Sequence, residues 1–388
     1  MKLFDNTEVA FALKSDSQLE RAYFLFKMIQ NQPLVKIGST ITKFALKIHL
    51  PIKAIIRATV FDHFCGGINE DDCLPIIDKM HLEGKVHSVL DYSVEGKEEE
   101  KSFDEALQKI IKILYFCEEK KSIPFAVFKP TGFGRFALYQ KISEGKTLTS
   151  LEEEEWSRVK ARFHSVCKVA VEKDVPLLID AEESWMQDAA DELIEELMET
   201  YNSQKSVVFN TLQMYRHDRM FYLKALHKKA KEKGFHIGMK VVRGAYMEKE
   251  RERAEKYGYE SPICADKKTT DENYDAAIRY MMDNSNMALF AGTHNEESSY
   301  LVMDLAKKHQ INESDSRLWF GQLYGMSDHI SFNLAHKGYN VAKYLPFGPV
   351  RDVMPYLIRR AEENTSVAGQ TSRELNLLKT ERKRRKMS

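Results

Sequence analysis

Hydrophobic positions recur along this chain with two different rhythms. Before residue 85 the spacing is helical, predicting helices over 17–31, 33–64 and 70–83, the third closed by Gly84 in a left-handed conformation. From Lys85 onward short runs of apolar, β-branched or aromatic residues read as strands at 86–92, 125–129, 175–180, 207–210, 237–243, 287–292, 318–324 and 341–345. Amphipathic stretches lie between them. Phe103, Ala106, Leu107, Ile110, Ile111 and Leu114 mark one helical stripe; Trp156, Val159, Phe163, Val166, Cys167 and Ala170 mark another. A third carries Met186, Ala189, Ala190, Leu193 and Leu197. Eight strands, each followed by a helix, is the count of a (β/α)8 barrel, and near-continuous apolar strands suit a parallel sheet covered on both faces. Doubly wound sheets alternate in the same way, so the pattern admits both and the count favours the barrel.

The polar residues sharpen this. The first strand runs to Asp91 and then Glu95, the second to Lys129, the third to Asp180, Glu182 and Glu183. The fourth leads to Asn210 and Gln213, the fifth carries Lys240 and Arg243, and the sixth ends in Thr293, His294 and Asn295. The seventh ends in Gln322 and Tyr324, the eighth at Tyr344. Any one of these could be a helix cap. In a parallel barrel all of these ends meet on one face, where barrel enzymes keep their active sites.

Composition excludes several classes. Of 388 residues, 43% are hydrophobic and 30% charged, with 58 basic and 58 acidic side chains, which is a folded globule rather than a disordered chain or a dedicated nucleic-acid binder. Five scattered cysteines form no CxxC and no His-spaced cluster, so they read as free or buried thiols, with no metal site. No apolar run approaches the roughly 18 residues of a membrane span. The first residues carry acids early and show neither signal-peptide nor transit-peptide character, which gives a cytoplasmic address.

Four local features compete for attention. Gly132-Phe133-Gly134-Arg135-Phe136-Ala137 matches GxGxxA after a strand, yet Pro130 intervenes and the next strand is too far on for a compact dinucleotide-binding unit. Lys240 and Arg243, followed by Gly244 and Ala245, put two cations and close-approach residues at a strand end, suiting phosphate or an electron-accepting ring. Arg359 and Arg360 follow the eighth strand, about 100° apart on a helix, and could converge on a small carboxylate. The basic stretch at 379–386 is of a kind usually disordered, and could touch anionic lipid.

Taken together, LDYSVEG (90–96), Phe128–Lys129 as a pair, LLIDAEESW (177–185), VVFNTLQMY (207–215), KVVRGAYM (240–247), GTHN (292–295), FGQLYGM (320–326), KYLPFG (343–348) and YLIRRAEEN (356–364) resemble the proline dehydrogenase family. These are flavin enzymes that oxidise L-proline to 1-pyrroline-5-carboxylate. The order and spacing hold over 86–364, and LDYSVEG and FNTLQMY look like the free-standing, mitochondrial-like branch. The resemblance implies a distorted (β/α)8 barrel over 85–370 with FAD at the carboxyl ends of its strands, an N-terminal helical extension over 1–84 and a basic tail over 371–388.

By motif match, Lys129 would contact substrate and Asp180 would help orient it, with Ala181 lining the cofactor. Asn210 would meet the isoalloxazine edge and Lys240 would lie near the reactive flavin nitrogen. Arg243, Gly244, Ala245, Thr293 and His294 would bind FAD. Leu323 and Tyr344 would pack on the proline ring, Arg359 and Arg360 would clamp its carboxylate, and Glu363 would take its amine. Glu95 would pair with Arg359 as a gate. Two positions depart from the bacterial pattern: Asn210 stands where glutamine is usual and Lys240 where arginine is usual. The bulk of Tyr344 argues for proline over hydroxyproline. The implied partners are L-proline and a membrane quinone, met by peripheral contact with the inner membrane. Hydroxyproline oxidation, a catalytically silent flavin- or proline-binding barrel, and a nicotinamide-dependent dehydrogenase are the alternatives.

Overall fold

The structure is a computed structural model that describes residues 2–31, 60–92, 98–366 and 370–387, with the side chains of 359–366 and 370 outside the description. Most of the helix expected over 33–64, and Glu95, therefore lie outside the described residues.

Eight strands close into a parallel barrel in chain order: β1 (His87–Tyr92), β2 (Phe125–Phe128), β3 (Leu177–Ile179), β4 (Val208–Gln213), β5 (Ile237–Val242), β6 (Met287–Gly292), β7 (Leu318–Leu323) and β8 (Val341–Phe347). Closure removes the doubly wound alternative. The glycines of the GxGxxA match fall in a short turn, Pro130–Gly132, and at the approach to a helix whose preceding residue, Arg135, is held by Glu155 at 2.8 and 2.5 Å. The longer helices are α1 (Thr7–Phe11), α2 (Asp16–Ile29), α3 (Glu70–Gly84), α4 (Glu100–Glu119), α5 (Phe136–Ser143), α6 (Ser150–Lys173) and α7 (Ser184–Tyr201). They continue with α8 (Arg219–Lys233), α9 (Met247–Tyr257), α10 (Lys267–Met282), α11 (Glu296–Lys308), α12 (Asp328–His336), α13 (Val350–Ser366) and α14 (Gln370–Arg384). No helix among the described residues is long and apolar enough to cross a membrane. All five cysteines are free and buried.

The chain divides into two compact units, one of 1–94, 294–296 and 321–388, the other of 95–293 and 297–320. In the second unit the predicted helical stripes face inward: Val159, Phe163, Val166, Cys167 and Ala170 of α6, and all five residues singled out on α7, are buried. Phe125 meets Phe209, Phe290 and Trp319 edge-on, with ring centroids 5.8, 5.3 and 5.0 Å away. This aromatic layer fixes the phase of each strand. Side chains alternate faces, so Lys129 shares the face of Phe125, and Thr211 and Gln213 share that of Phe209. Parallel register pairs Phe209 with Gly238 and Thr211 with Lys240, which brings Lys240 to the same face. Asn210 and Met239, paired with each other, point to the opposite face.

In the first unit, α3 ends differently from expectation. Lys85, not Gly84, takes the left-handed conformation, with φ 56°. Gly84 is needed for space: a Cβ there would lie 2.6 Å from the ring of Phe332 and 3.1 Å from Leu13. The basic stretch also differs, since it forms the end of α14 and is tied to the N-terminal helices. Arg382 binds Glu20 at 2.5 Å, Arg384 binds Glu8 at 3.3 Å and Arg385 binds Asp16 at 3.0 Å. Glu381, fully buried, accepts from both Arg384 and Arg385. Leu375, Leu377 and Leu378 pack with Phe11, Leu19 and Phe26 beneath these pairs.

Gly84→Ala should lower stability by about 1–3 kcal/mol, the range for overpacking a filled site. Urea unfolding with an unchanged m-value and a lowered midpoint is the expected result.

Candidate active site

In the second unit the inward-facing polar residues gather at the carboxyl ends of β2 to β6. Lys240 is 5% exposed and its ammonium is hydrogen-bonded to the Asp180 carboxylate just past β3. A buried ammonium stays charged only with such a partner. The half-buried Lys129 directly follows β2, and its charge acts on Glu182. Thr131 clamps Glu182 through its backbone N–H (2.9 Å) and its hydroxyl (2.7 Å). Burial dominates and pushes the Glu182 carboxyl from 4.5 up to about 7, against the pull of Lys129 and the two Thr131 hydrogen bonds. Gln213 donates to the Glu182 backbone carbonyl at 2.6 Å, tying β4 to this turn.

Arg243 leaves β5 and is held on every side. It donates to Asp271 at 2.6 Å, to the Thr293 hydroxyl at 2.8 Å and to Ser298 at 2.9 Å, and its guanidinium lies 4.3 Å from the Tyr274 ring centroid. Three of its five N–H groups are thus engaged, leaving donors for an incoming anion. Gly244 follows with φ +130°, a conformation that L side chains rarely adopt, and it is exposed together with Ala245. Ala181 is half-buried beside Glu182.

Asn210 does not join this group. Its amide donates to Asp191 (2.9 Å) and to the Tyr222 hydroxyl (3.1 Å), and its oxygen accepts from the Thr211 N–H (2.7 Å). It is fully buried in the layer between β4 and its flanking helices, where Asp191 and Tyr222 take its amide. The cause is strand phase: the glutamine sought at this position stands three residues on, at Gln213, on the inward face. Sequence reasoning named Gln213 and Glu182 as strand-end residues and assigned neither to the site. The signal that finds them is the two-residue period counted from the aromatic layer. Asp191 in turn receives Arg219 at 2.7 Å and Gln187 at 2.8 Å, and Gln187 accepts from the Glu182 N–H at 2.8 Å.

In the first unit Tyr344 on β8 is 7% exposed, and its carbonyl accepts from the Tyr324 N–H at 2.8 Å. Leu323, which ends β7, is half-buried. His294 has Nδ1 2.9 Å from the Ser327 hydroxyl. Neighbouring Lys343 faces the other way, where its ammonium binds Asp328 at 2.7 Å and the Met326 carbonyl at 2.7 Å. Arg359, Arg360 and Glu363 lie within α13, with side chains outside the described residues.

A family model described as proline dehydrogenase matches residues 74–373. The chain belongs to the proline dehydrogenase family. Among its relatives, the carbapenem antibiotics biosynthesis protein CarD of Pectobacterium carotovorum subsp. carotovorum is 37% identical over 298 residues, covering 76% of this chain and 77% of that protein. Mitochondrial proline dehydrogenase 2 of Arabidopsis thaliana is 32% identical over 377 residues, covering 86% of this chain and 79% of that protein. Mitochondrial proline dehydrogenase 1 of Homo sapiens is 37% identical over 241 residues, 61% of this chain and 40% of the human protein. In structure, proline utilization A from Bdellovibrio bacteriovorus, inactivated by N-propargylglycine, aligns with a TM-score of 0.73 at 21% identity, covering 95% of this chain and 40% of that one. That likeness matches the closed eight-stranded barrel.

The raised Glu182 carboxyl carries a pH dependence of known sign. Between 4.5 and about 7 the folded protein holds a proton there that the unfolded chain has released, so stability falls as pH rises through this window. Glu182→Gln should flatten that fall, as read from melting temperatures between pH 5 and 7.5. An unchanged slope would mean that Glu182 ionises normally.

Proposed function

We propose that this protein oxidises L-proline to 1-pyrroline-5-carboxylate, with FAD as resident acceptor and a membrane quinone, met at the membrane surface, as the onward acceptor. The observation that carries the reading is the buried Lys240–Asp180 pair at the strand ends of a barrel matched by the proline dehydrogenase family. A cation there suits a ring that gains negative charge. The donor set fits a flavin with its pyrophosphate: the Lys240 ammonium, the spare Arg243 N–H groups, the Thr293 hydroxyl, the His294 ring and the open backbone at Gly244 and Ala245. FAD, when bound, supplies the acceptor for the hydride leaving proline C5.

The chain's own residues supply placement. Lys129 meets the substrate, and Leu323 and Tyr344 pack on its ring. Arg359 and Arg360 neutralise the carboxylate, Glu363 faces the amine, and Glu95 gates through Arg359. Fixing both ends of a small zwitterion leaves one orientation for the ring, which holds the reacting carbon in a near-attack geometry. Gln213 replaces Asn210 as the carboxamide nearest the cofactor. The relative from Pectobacterium carotovorum is named for antibiotic biosynthesis, so membership fixes the reaction class more firmly than whether the product is degraded or built upon.

The purified protein should be yellow, and proline added without oxygen should bleach it. A silent binder keeps its colour, and a nicotinamide enzyme is colourless from the start. Side-by-side steady-state kinetics should favour proline over hydroxyproline. Arg359→Met or Arg360→Met should raise KM for proline by about tenfold or more with FAD still bound. Normal proline affinity in either variant refutes the clamp.

A further inference from the structure

One face of α10 grips Arg243. Asp271, Tyr274 and Asp275 stand three and four positions apart, the spacing that puts side chains on one side of a helix. Asp271 Oδ1 accepts from Nε at 2.6 Å, and the buried Tyr274 ring lies against the guanidinium at 4.3 Å. Asp275 acts at one remove: it accepts at 2.8 Å from the Ser298 hydroxyl, which accepts from Nη2 at 2.9 Å. The backbone is pinned as well. The Arg243 carbonyl accepts from the Tyr215 N–H at 2.7 Å, and a Cβ on Gly244 would lie 2.5 Å from the Tyr215 ring.

Asp271 is half-buried, and burial raises its carboxyl, but hydrogen bonds from Lys267 and Arg243 outweigh burial and hold it below the ordinary range. It is therefore an anion at neutral pH, set against a cation that suits a second anion. By charge alone it would weaken such binding. What it supplies is direction. An arginine loses rotamer freedom when it binds a ligand, and a fork already fixed loses less. Asp271 takes the Nε–H through one oxygen, while Lys267 holds the other at 2.5 Å. The Thr293 and Ser298 hydroxyls take one N–H from each terminal nitrogen. The second N–H on Nη1 and on Nη2 has no acceptor among the described residues, and the side chain is 21% exposed.

We infer that Asp271 is a positioning residue for the cofactor anion, fixing the Arg243 fork so that its two remaining N–H groups meet a phosphate-type ligand together. That the anion is the FAD pyrophosphate rests on the flavin reading above; that Asp271 orients Arg243 does not.

The two effects of Asp271 have opposite signs, so its removal separates them. Asp271→Ala frees the fork and also removes a repelling charge. Positioning predicts FAD bound about tenfold more weakly, titrated by flavin fluorescence on the stripped protein, whereas charge alone predicts tighter binding. Asp271→Asn keeps an acceptor and drops the charge, so it should bind FAD at least as tightly as the parent. In an Arg243→Gln background, Asp271→Ala should weaken FAD no further, because it acts through Arg243. In the FAD-free protein the Arg243 Nε–H signal, assigned by its loss in Arg243→Gln, should exchange with water faster in Asp271→Ala than in the parent. Where Asp271→Ala folds poorly, Asp271→Leu restores the bulk without an acceptor and takes its place in each measurement. Unchanged or tighter FAD binding in Asp271→Ala, equal weakening in Asp271→Asn, undiminished weakening in the Arg243→Gln background, or an unmoved exchange rate overturns the inference. A parent protein that takes up no FAD overturns the flavin reading instead, and the exchange rates then decide whether Asp271 holds Arg243.

Discussion

A lysine ammonium almost wholly removed from water, at the end of β5, is the constraint around which the second unit is built. Isolated, such a charge would cost several kcal/mol or give up its proton. Asp180 answers it, and Asp180 stands where it does because β3 is short and ends at Ile179, its next N–H bound to the Phe128 carbonyl at 2.9 Å. The chain then turns through Ala181 to Glu182, whose carboxylate is clamped by Thr131 and whose carbonyl takes Gln213. One ion pair therefore fixes the spacing of β3 and β5, and the hydrogen bonds of the following turn draw in β2 and β4. The mouth is rigid because each polar group that serves it is also needed by a neighbour.

The first unit solves the same electrostatic problem on a different face. Lys343 is the residue before Tyr344 on β8, so it points away from the side that Tyr344 faces, into the layer under α12. There it is fully buried, and burial lowers its pKa even with Asp328 attached. Asp328 compensates from the other direction: burial would raise it, but Lys14 and Lys343 hold it far below the ordinary carboxylate range. Glu296 behaves likewise, since His329 and Arg373 outweigh burial and bring it to about 2. These pairs tie Lys14, which follows α1, to α12 and β8, and Glu296 to α12 and α14.

Much of this was legible in the sequence. Six of the eight strand runs contain the observed strands and the other two, at 207–210 and 341–345, stop short of them, because parallel strands covered on both faces need uninterrupted apolar runs and the turn residues between them are distinctive. What misled was phase within a strand. The run VVFN ends in apolar character at Asn210, yet β4 continues through Thr211 and Leu212 to Gln213, pairing with β5 as far as Val242. Reading Asn210 as the strand's end placed it at the mouth; extending the strand by three residues turns it outward and brings Gln213 in. Gly84 misled for a related reason. Glycine after a helix suggests positive φ, but here its missing Cβ serves the ring of Phe332, and Lys85 takes the left-handed turn.

The partnerships least visible in sequence are those between residues hundreds of positions apart. Nothing local to Arg385 announces that it will reach the carbonyls of Phe11 and Lys14, at 2.8 and 2.7 Å, or that Glu381 will be fully buried to receive it. An amphipathic helix with arginines on its polar face is equally suited to water, lipid or a protein surface of opposite charge. The choice is made by Glu8, Asp16 and Glu20, acids on α1 and α2 whose own helices bury Phe11, Leu19 and Phe26 against α14. Apolar contact brings the helices together, and charge complementarity selects which helices they are. The same logic carries Glu374 to the backbone N–H of Ser327: a residue at the far end of the sequence reaches the neighbour of His294 because α14 is already seated by its leucines. The sequence there encodes a docking face first, and the polar contacts follow from where that face comes to rest.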